Sequence, residues 1–328
     1  MGRLKTLRVL LLSMGSTSGG GQRWLETMCK NMPKSIKPYV IFTRIGHPGN
    51  IFYHRLQPWL APHHLQYNKL KSDWPQQVAE FIDKEKVDVL LQEEDERLRE
   101  IIDCCKHKPR VVYVKHVMDP RGDIAANADI ISQVVCVSER IAENVPGAIV
   151  IRNGVPPPES SGIDIRALFG IRPEEFVVGY MGRVDRNKNV NFLIALAEQN
   201  HWRVLIVGRP DHALRRYGAA VVVPADVYYT ADWYKAMNVF VLPSRNEGFP
   251  LAPMEALLSG TPVAMTPVSD YPGLFDGAVS FFAPDSLIEA TDAIKSAPDP
   301  KIGQAIINKH CNVKNMVAAY VKVLRGDF

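Results

Sequence analysis

Short apolar runs alternate with amphipathic stretches along nearly the whole chain. Residues 7–12, 39–43, 87–92, 110–114 and 133–137 are Val-, Leu- and Ile-rich runs that read as buried strands. Helical patterns lie between them at 22–31, 75–84 and 94–107. Strands buried on both faces and separated by helices build a parallel sheet. The alternation pauses after residues 149–151, where Asn153-Gly154 signals a turn and Pro156, Pro157 and Pro158 follow. Neither a helix nor a central strand can contain that proline run, so it reads as a linker. The alternation then restarts, with strands at 176–181, 203–207, 219–223, 239–242, 262–265 and 279–282 and a helix at 191–199. The expected class is α/β, with one unit over 1–155 and a second over 156–310. In the tail, 311–328, residues 313–324 form an amphipathic helix whose partner the pattern does not name.

Composition narrows this picture. A chain of 328 residues, 46% hydrophobic, is long enough for two cores and excludes global disorder. The formal charge of +4 favours an anionic ligand without pointing to nucleic acid. The five cysteines, Cys29, Cys104, Cys105, Cys136 and Cys311, show no C-x-x-C spacing. They are expected to be the reduced thiols of a cytoplasmic protein. The apolar run after Arg3, Lys5 and Arg8 is short and leads into glycines, so it is expected to be a strand and not a leader. No run reaches the roughly 18 apolar residues of a membrane span. The charged run from Glu93 to Glu100 is expected to be a solvated helix face with ion pairs.

Candidate chemistry gathers in three places. The first is residues 239–265, which read strand, polar loop, helix, strand. Pro250 and Pro253 suit a helix start and Gly260 its end. Backbone N–H groups at such a start attract phosphate. Glu247 and Glu255 flank it; they either hold hydroxyl groups or are solvated. Phosphate with hydroxyls suggests a nucleotide sugar. The second is the loop after strand 176–181, where Arg183 and Lys188 either clamp two linked phosphates, as fork and point charge, or are ordinary loop charges. No two aspartates stand two apart, and no His/Cys cluster has zinc spacing, so no metal is expected. The third is in the first half. Gly19, Gly20 and Gly21 follow the first strand in a loop that either admits a ligand or is a surface turn. The dinucleotide and P-loop fingerprints are absent there. His116 follows strand 110–114, at the carboxyl end where α/β sheets bind ligands, or is a hydrogen-bonded structural histidine.

Gly182-Arg183 with Lys188, Pro243-Ser244, Glu247-Gly248-Phe249-Pro250-Leu251, Glu255-Ala256 and Gly260-Thr261-Pro262-Val263 resemble the signature of family 4 retaining glycosyltransferases of the GT-B fold. The glycine loop, His116, Val137-Ser138-Glu139 and Asn153-Gly154-Val155 echo it in the first half. The resemblance implies two Rossmann-like domains facing across a cleft, the first for acceptor and the second for a nucleotide-diphosphate sugar. It implies that Arg183 and Lys188 bind the diphosphate, Glu255 the ribose, and Glu247 the sugar ring. Backbone around Gly248, Phe249, Pro250 and Leu251 would contact sugar and phosphate. His116 would touch the donor sugar, and Gly19 to Gly21 would lie near phosphates or acceptor. The implied donor is a UDP- or GDP-sugar, the acceptor a sugar, glycan or natural product, and the transfer retaining and metal-independent. No basic amphipathic helix occurs in the first half, so soluble acceptors are expected over lipid-linked ones; peripheral membrane contact stays open. A non-catalytic nucleotide-sugar-binding subunit would need neither His116 nor Glu247, and both are present. A nucleotide-sugar epimerase of the same architecture is disfavoured by the Glu247 to Glu255 spacing.

Overall fold

Six of the apolar runs become the first parallel sheet: β1 (Leu7–Gly15), β2 (Ile36–Arg44), β3 (Val89–Glu93), β4 (Arg110–Lys115), β5 (Ile131–Cys136) and β6 (Ile149–Val150). Their order is β2-β1-β3-β4-β5-β6. A second sheet comprises β7 (Val177–Met181), β8 (Arg203–Val207), β9 (Ala220–Val223), β10 (Val239–Leu242), β11 (Val263–Met265) and β12 (Ser280–Phe281), in the order β12-β11-β10-β7-β8-β9. Every pairing between these strands is parallel. The computed structural model describes residues 5–15, 19–44, 57–59, 74–93, 97–117, 123–208, 220–223, 227 and 229–327.

Each sheet has one place where the winding reverses. The chain leaves β1 for β2 and returns to the other side of β1 as β3. In the second sheet it runs from β7 through β8 to β9 and returns beside β7 as β10. Loops leave such neighbouring strands in opposite directions, which opens a crevice at their carboxyl ends. The first sheet is buried by helices Trp74–Glu85 and Leu98–Cys104, through Val78, Ile82, Leu98 and Ile101 against Leu10, Leu12 and Leu90.

The compact units are Met1–Asn153 with Val313–Phe328, and Gly154–Asn312. The last helix, Val313–Arg325, therefore belongs to the first unit, although 159 residues of the second unit precede it. Its apolar stripe of Met316, Val317, Tyr320, Val323 and Leu324 is buried. The Arg110 guanidinium donates to the Val323 carbonyl, and Arg325 donates to Ser35 Oγ at 3.0 Å.

The proline-rich linker is pinned to the second unit. Asp232 Oδ2 accepts from both the Ser161 N–H and hydroxyl at 2.7 Å, and Oδ1 accepts from Ser160. Burial works against that carboxylate, but these bonds outweigh it and hold Asp232 below its ordinary range. The charged run departs from its expectation. Glu93 ends β3 and is buried, and the helix begins only at Leu98. Residues 94–96 lie outside the described residues. Burial of all five β3 positions outweighs the helical character of the charges that follow. All five cysteines are free thiols, and burial pushes the Cys136 thiol up to about 11. No helix among the described residues is long and apolar enough to cross a membrane.

Candidate functional site

The crevice of the second sheet holds seven of the expected residues on two loops. Gly182 and Gly208, at φ +146° and +148°, end β7 and β8 backbone to backbone. A Cβ on Gly208 would stand 1.9 Å from the Gly182 carbonyl oxygen, so only glycine lets these loops meet. The β7 loop continues through Arg183 to Lys188 and the β10 loop through Ser244 to Leu251. Asn187 stitches them together: its carbonyl accepts from Arg245 N–H at 2.8 Å, and its amide donates to the Asn246 carbonyl at 2.6 Å.

Across this seam Lys188 Nζ donates to Glu247 Oε1 at 2.6 Å, with side chains only 18% and 9% exposed. Arg183 is placed differently. Its side chain is 69% exposed and its Nε donates to Asp185 Oδ2 at 2.8 Å. The same Asp185 accepts from the backbone of Asn187 and Lys188 through Oδ1. Arg183 is thus held at the rim by the carboxylate that shapes the loop, while Lys188 sits deeper. Tyr180, whose phenol is pushed well up by burial and by the Glu247 and Asp185 carboxylates, donates to the Arg183 carbonyl at 2.7 Å.

The backbone of 248–250 is fixed through its carbonyls. Ser269 donates to the Gly248 carbonyl and Tyr271 to that of Pro250 at 2.7 Å. Phe249 is buried with its ring 5.5 Å from that of Tyr271. Leu251 is buried and caps helix Ala252–Leu258, which has Pro253 in its first turn and Gly260, at φ +84°, just past its end. Glu255 lies in the first turn of this helix, buried, and accepts from the Tyr234 hydroxyl at 2.8 Å. Glu255 is not on the solvated face that one sequence reading allowed.

A second cluster lies at the crevice of the first sheet. Glu93 at the end of β3 accepts from Ser13 of β1 at 2.8 Å. Its other oxygen is 3.4 Å from His116 Nε2, just beyond β4. Trp24 meets the His116 ring edge-on at 5.0 Å and Tyr320 at 5.4 Å. The glycine run is less of a loop than expected. Gly19 is the extended residue before helix Gly20–Asn31, so Gly20 and Gly21 are helical. A Cβ on Gly21 would lie 3.7 Å from Glu93 Oε2. Residues 16–18 lie outside the described residues, as do 224–226 and 228 after β9.

Sequence reasoning missed Glu93, Ser13 and Tyr234. The usable signal for Glu93 was its place at the end of a buried run; the acidic residues after it concealed that end. Among the described residues no group of three or more His, Cys, Asp or Glu is placed to hold a metal ion.

Outside the seam, Asp285 accepts from Arg245 at 2.8 and 3.0 Å and from the Asn189 amide at 2.9 Å. These residues flank Glu247 and Lys188 in sequence, so the bridge braces both loops. The Asn189 hydrogen bond, then Arg245, holds the Asp285 carboxyl below its ordinary range. A depressed folded-state pKa gives stability that is present above the unfolded value and lost as pH falls through the folded one. Asp285 is half exposed, so solvent screens the gain. Asp285→Asn should lower Tm by about 1–2 °C near neutral pH. Thermal melts from pH 7 down to about pH 2 should show this gap closing below about pH 4.

Residues 175–297 match the family described as Glycosyl transferases group 1. The chain is 28% identical over 190 residues to the lipopolysaccharide core biosynthesis mannosyltransferase LpsB of Rhizobium meliloti, covering 51% of this chain and 53% of that protein. It is 31% identical over 182 residues to D-inositol 3-phosphate glycosyltransferase 2 of Catenulispora acidiphila, covering 47% and 42%. The matches span about half the length of the first of these relatives and less of the second. Among solved structures, Anabaena Alr3699/HepE in complex with UDP-glucose superposes with a TM-score of 0.80 at 17% identity, over 98% of this chain and 100% of that one. Sucrose-phosphate synthase from Thermosynechococcus elongatus gives 0.73 at 17% identity, over 98% of each chain. The matched stretch contains both seam loops and the helix carrying Glu255, and the two parallel sheets are those of the GT-B fold; residues 175–297 of this chain are a group 1 glycosyl transferase domain carried on that fold.

Proposed function

We propose that this protein is a retaining glycosyltransferase that moves a sugar from a nucleotide-diphosphate sugar to an acceptor hydroxyl. The observation that carries the reading is the Lys188–Glu247 pair at the winding reversal of the second sheet, inside the stretch that matches the glycosyl transferase family. A partly buried ammonium beside a carboxylate suits a ligand with phosphate at one end and sugar hydroxyls at the other. Lys188 neutralises the departing diphosphate, and Arg183 swings from Asp185 to join it. Glu247 accepts from hydroxyls of the donor sugar, and Glu255 from the ribose. Backbone at Gly248 to Leu251 borders sugar and phosphate, Gly19 to Gly21 border acceptor or phosphate, and His116 contacts the donor sugar.

In the transfer, the bond from the anomeric carbon to the phosphate oxygen breaks, and a bond to the acceptor oxygen forms on the same face. The acceptor proton passes to the leaving phosphate, so no protein nucleophile takes part. Fixed positive charge where negative charge develops supplies most of the acceleration. The donor is a UDP- or GDP-sugar, and a neighbour bound to UDP-glucose supports that choice. The acceptor is a sugar, glycan or natural product, the setting is cytoplasmic, and no metal takes part.

A thermal-shift panel of UDP-, GDP-, ADP- and dTDP-sugars tests the reading. A donor at 100 times its Kd stabilises the native state by about 2.7 kcal/mol. One of the four should raise Tm and support transfer with retained anomeric configuration, in excess chelator. No shift with any of them, or activity abolished by chelator and restored by a divalent ion, would count against it.

A further inference from the structure

The first sheet contains a buried carboxylate to which the second sheet's chemistry gives no role. Glu93 is 8% exposed at the carboxyl end of β3, one of the two strands at the winding reversal. A carboxylate in that position is costly unless donors face it. One oxygen accepts from the Ser13 hydroxyl at 2.8 Å. The other, Oε1, has no hydrogen-bond partner among the described residues, and His116 Nε2 stands 3.4 Å from it. The approach is too long for a strong hydrogen bond and short enough for a small ring rotation to close. The rest of the surroundings limit that rotation. Trp24, 1% exposed, meets the His116 ring edge-on at 5.0 Å and is itself backed by Tyr320 of the last helix. The helix backbone at Gly21 passes close to this carboxylate: a Cβ there would stand at ordinary contact distance, 3.7 Å, from Glu93 Oε2.

We propose that Glu93 is the positioning residue of His116: fixed by Ser13, it faces Nε2, favours the proton there and aims the ring toward the substrate. A neutral imidazole has one donor and one acceptor nitrogen, and the tautomer is set by what each nitrogen faces. A carboxylate facing Nε2 selects the Nε2–H form. The role of His116 toward substrate rests on the glycosyl-transfer reading; the grip of Glu93 on its ring does not. Glu93 itself touches no substrate in this assignment.

The experiment therefore has one arm that needs no turnover. Nitrogen-15 labelling of histidine, with the His116 signal identified by its loss in His116→Asn, reads the tautomer of the neutral ring at about pH 9. The wild-type protein should show predominantly Nε2–H. Glu93→Met, which keeps the bulk and removes the acceptor, should show a mixture of tautomers. Glu93→Asp, which withdraws the charge by one methylene, should do the same and serves if the methionine variant does not fold. In the kinetic arm, Glu93→Met should lower kcat about tenfold or more with donor KM within about twofold. On a His116→Ala background it should change kcat by less than about twofold, because a residue acting only through His116 has nothing left to position. An unchanged tautomer in folded Glu93 variants overturns the assignment, as does a loss that multiplies with that of His116→Ala. If no sugar donor supports turnover, the transfer reading fails and the tautomer alone decides the role of Glu93.

Discussion

Lys188→Ala should lower kcat/KM for the sugar donor by about 10²–10³-fold, the range for removing one preorganised charge from a developing anion. Of Arg183 and Lys188 on the β7 loop, Lys188 is the deeper and is turned across the seam onto Glu247 at 2.6 Å, whereas Arg183 sits at the exposed rim. The variant should also lose stability, by about 3 kcal/mol, because Glu247 is left shielded from water without its counter-charge. These two losses separate. Adding Glu247→Ala removes the stranded carboxylate and should restore much of the Tm while activity stays low. Steady-state kinetics with the donor found by thermal shift, alongside melts of the single and double variants, checks both. Unchanged kinetics in the single variant would remove Lys188 from the site. Glu255→Ala should act by another route: it strips the Tyr234 hydroxyl of its buried acceptor and should raise donor KM more than it lowers kcat.

Ending the chain at Asn312 should leave the second unit folded and the first unfolded. The last helix buries Met316, Val317, Tyr320, Val323 and Leu324 in the first unit. At roughly 2 kcal/mol for each such side chain, the loss is about 10 kcal/mol, within the whole stability of an ordinary domain. Removal would also uncover Trp24, which stacks edge-on between Tyr320 and His116. Limited proteolysis with mass spectrometry should find cuts throughout residues 19–150 of the shortened chain and protection over 154–312. The same cleavage pattern in the full and shortened chains would show that the helix is dispensable. Single replacement gives a graded version: Tyr320→Ala should destabilise the first unit by about 3–5 kcal/mol, as large-to-small core changes do.

Much of the fold was legible because local pattern and tertiary demand agree in it. Runs such as Val9–Leu12 and Val239–Leu242 are apolar on both faces, which a doubly covered parallel sheet satisfies. Pro253 and Gly260 mark the two ends of one helix through their own backbone restrictions, independent of anything remote. Glu247, Lys188 and Glu255 could be singled out for the same reason, since each stands at a fixed offset from a strand or helix end.

What the sequence could not settle was what each charge faces, since a partner tens of residues away leaves no local mark. Glu93 and Glu94 look alike in a charged run, yet the sheet takes the first as the buried end of β3 beside Ser13, 80 residues earlier. Arg183 and Lys188 read as one phosphate clamp; the folded loop gives Arg183 to Asp185 and sends Lys188 59 residues on to Glu247. The amphipathic stripe of 313–325 announced a helix with a face to bury, but a stripe does not name its partner. By itself the sequence determined the alternating strands and helices, the break between two units and the candidate loops, because these follow from backbone and burial preferences over a few residues. Only the tertiary structure decided that the last helix returns to the first unit and that Glu93 meets His116, because both depend on which distant surfaces are complementary.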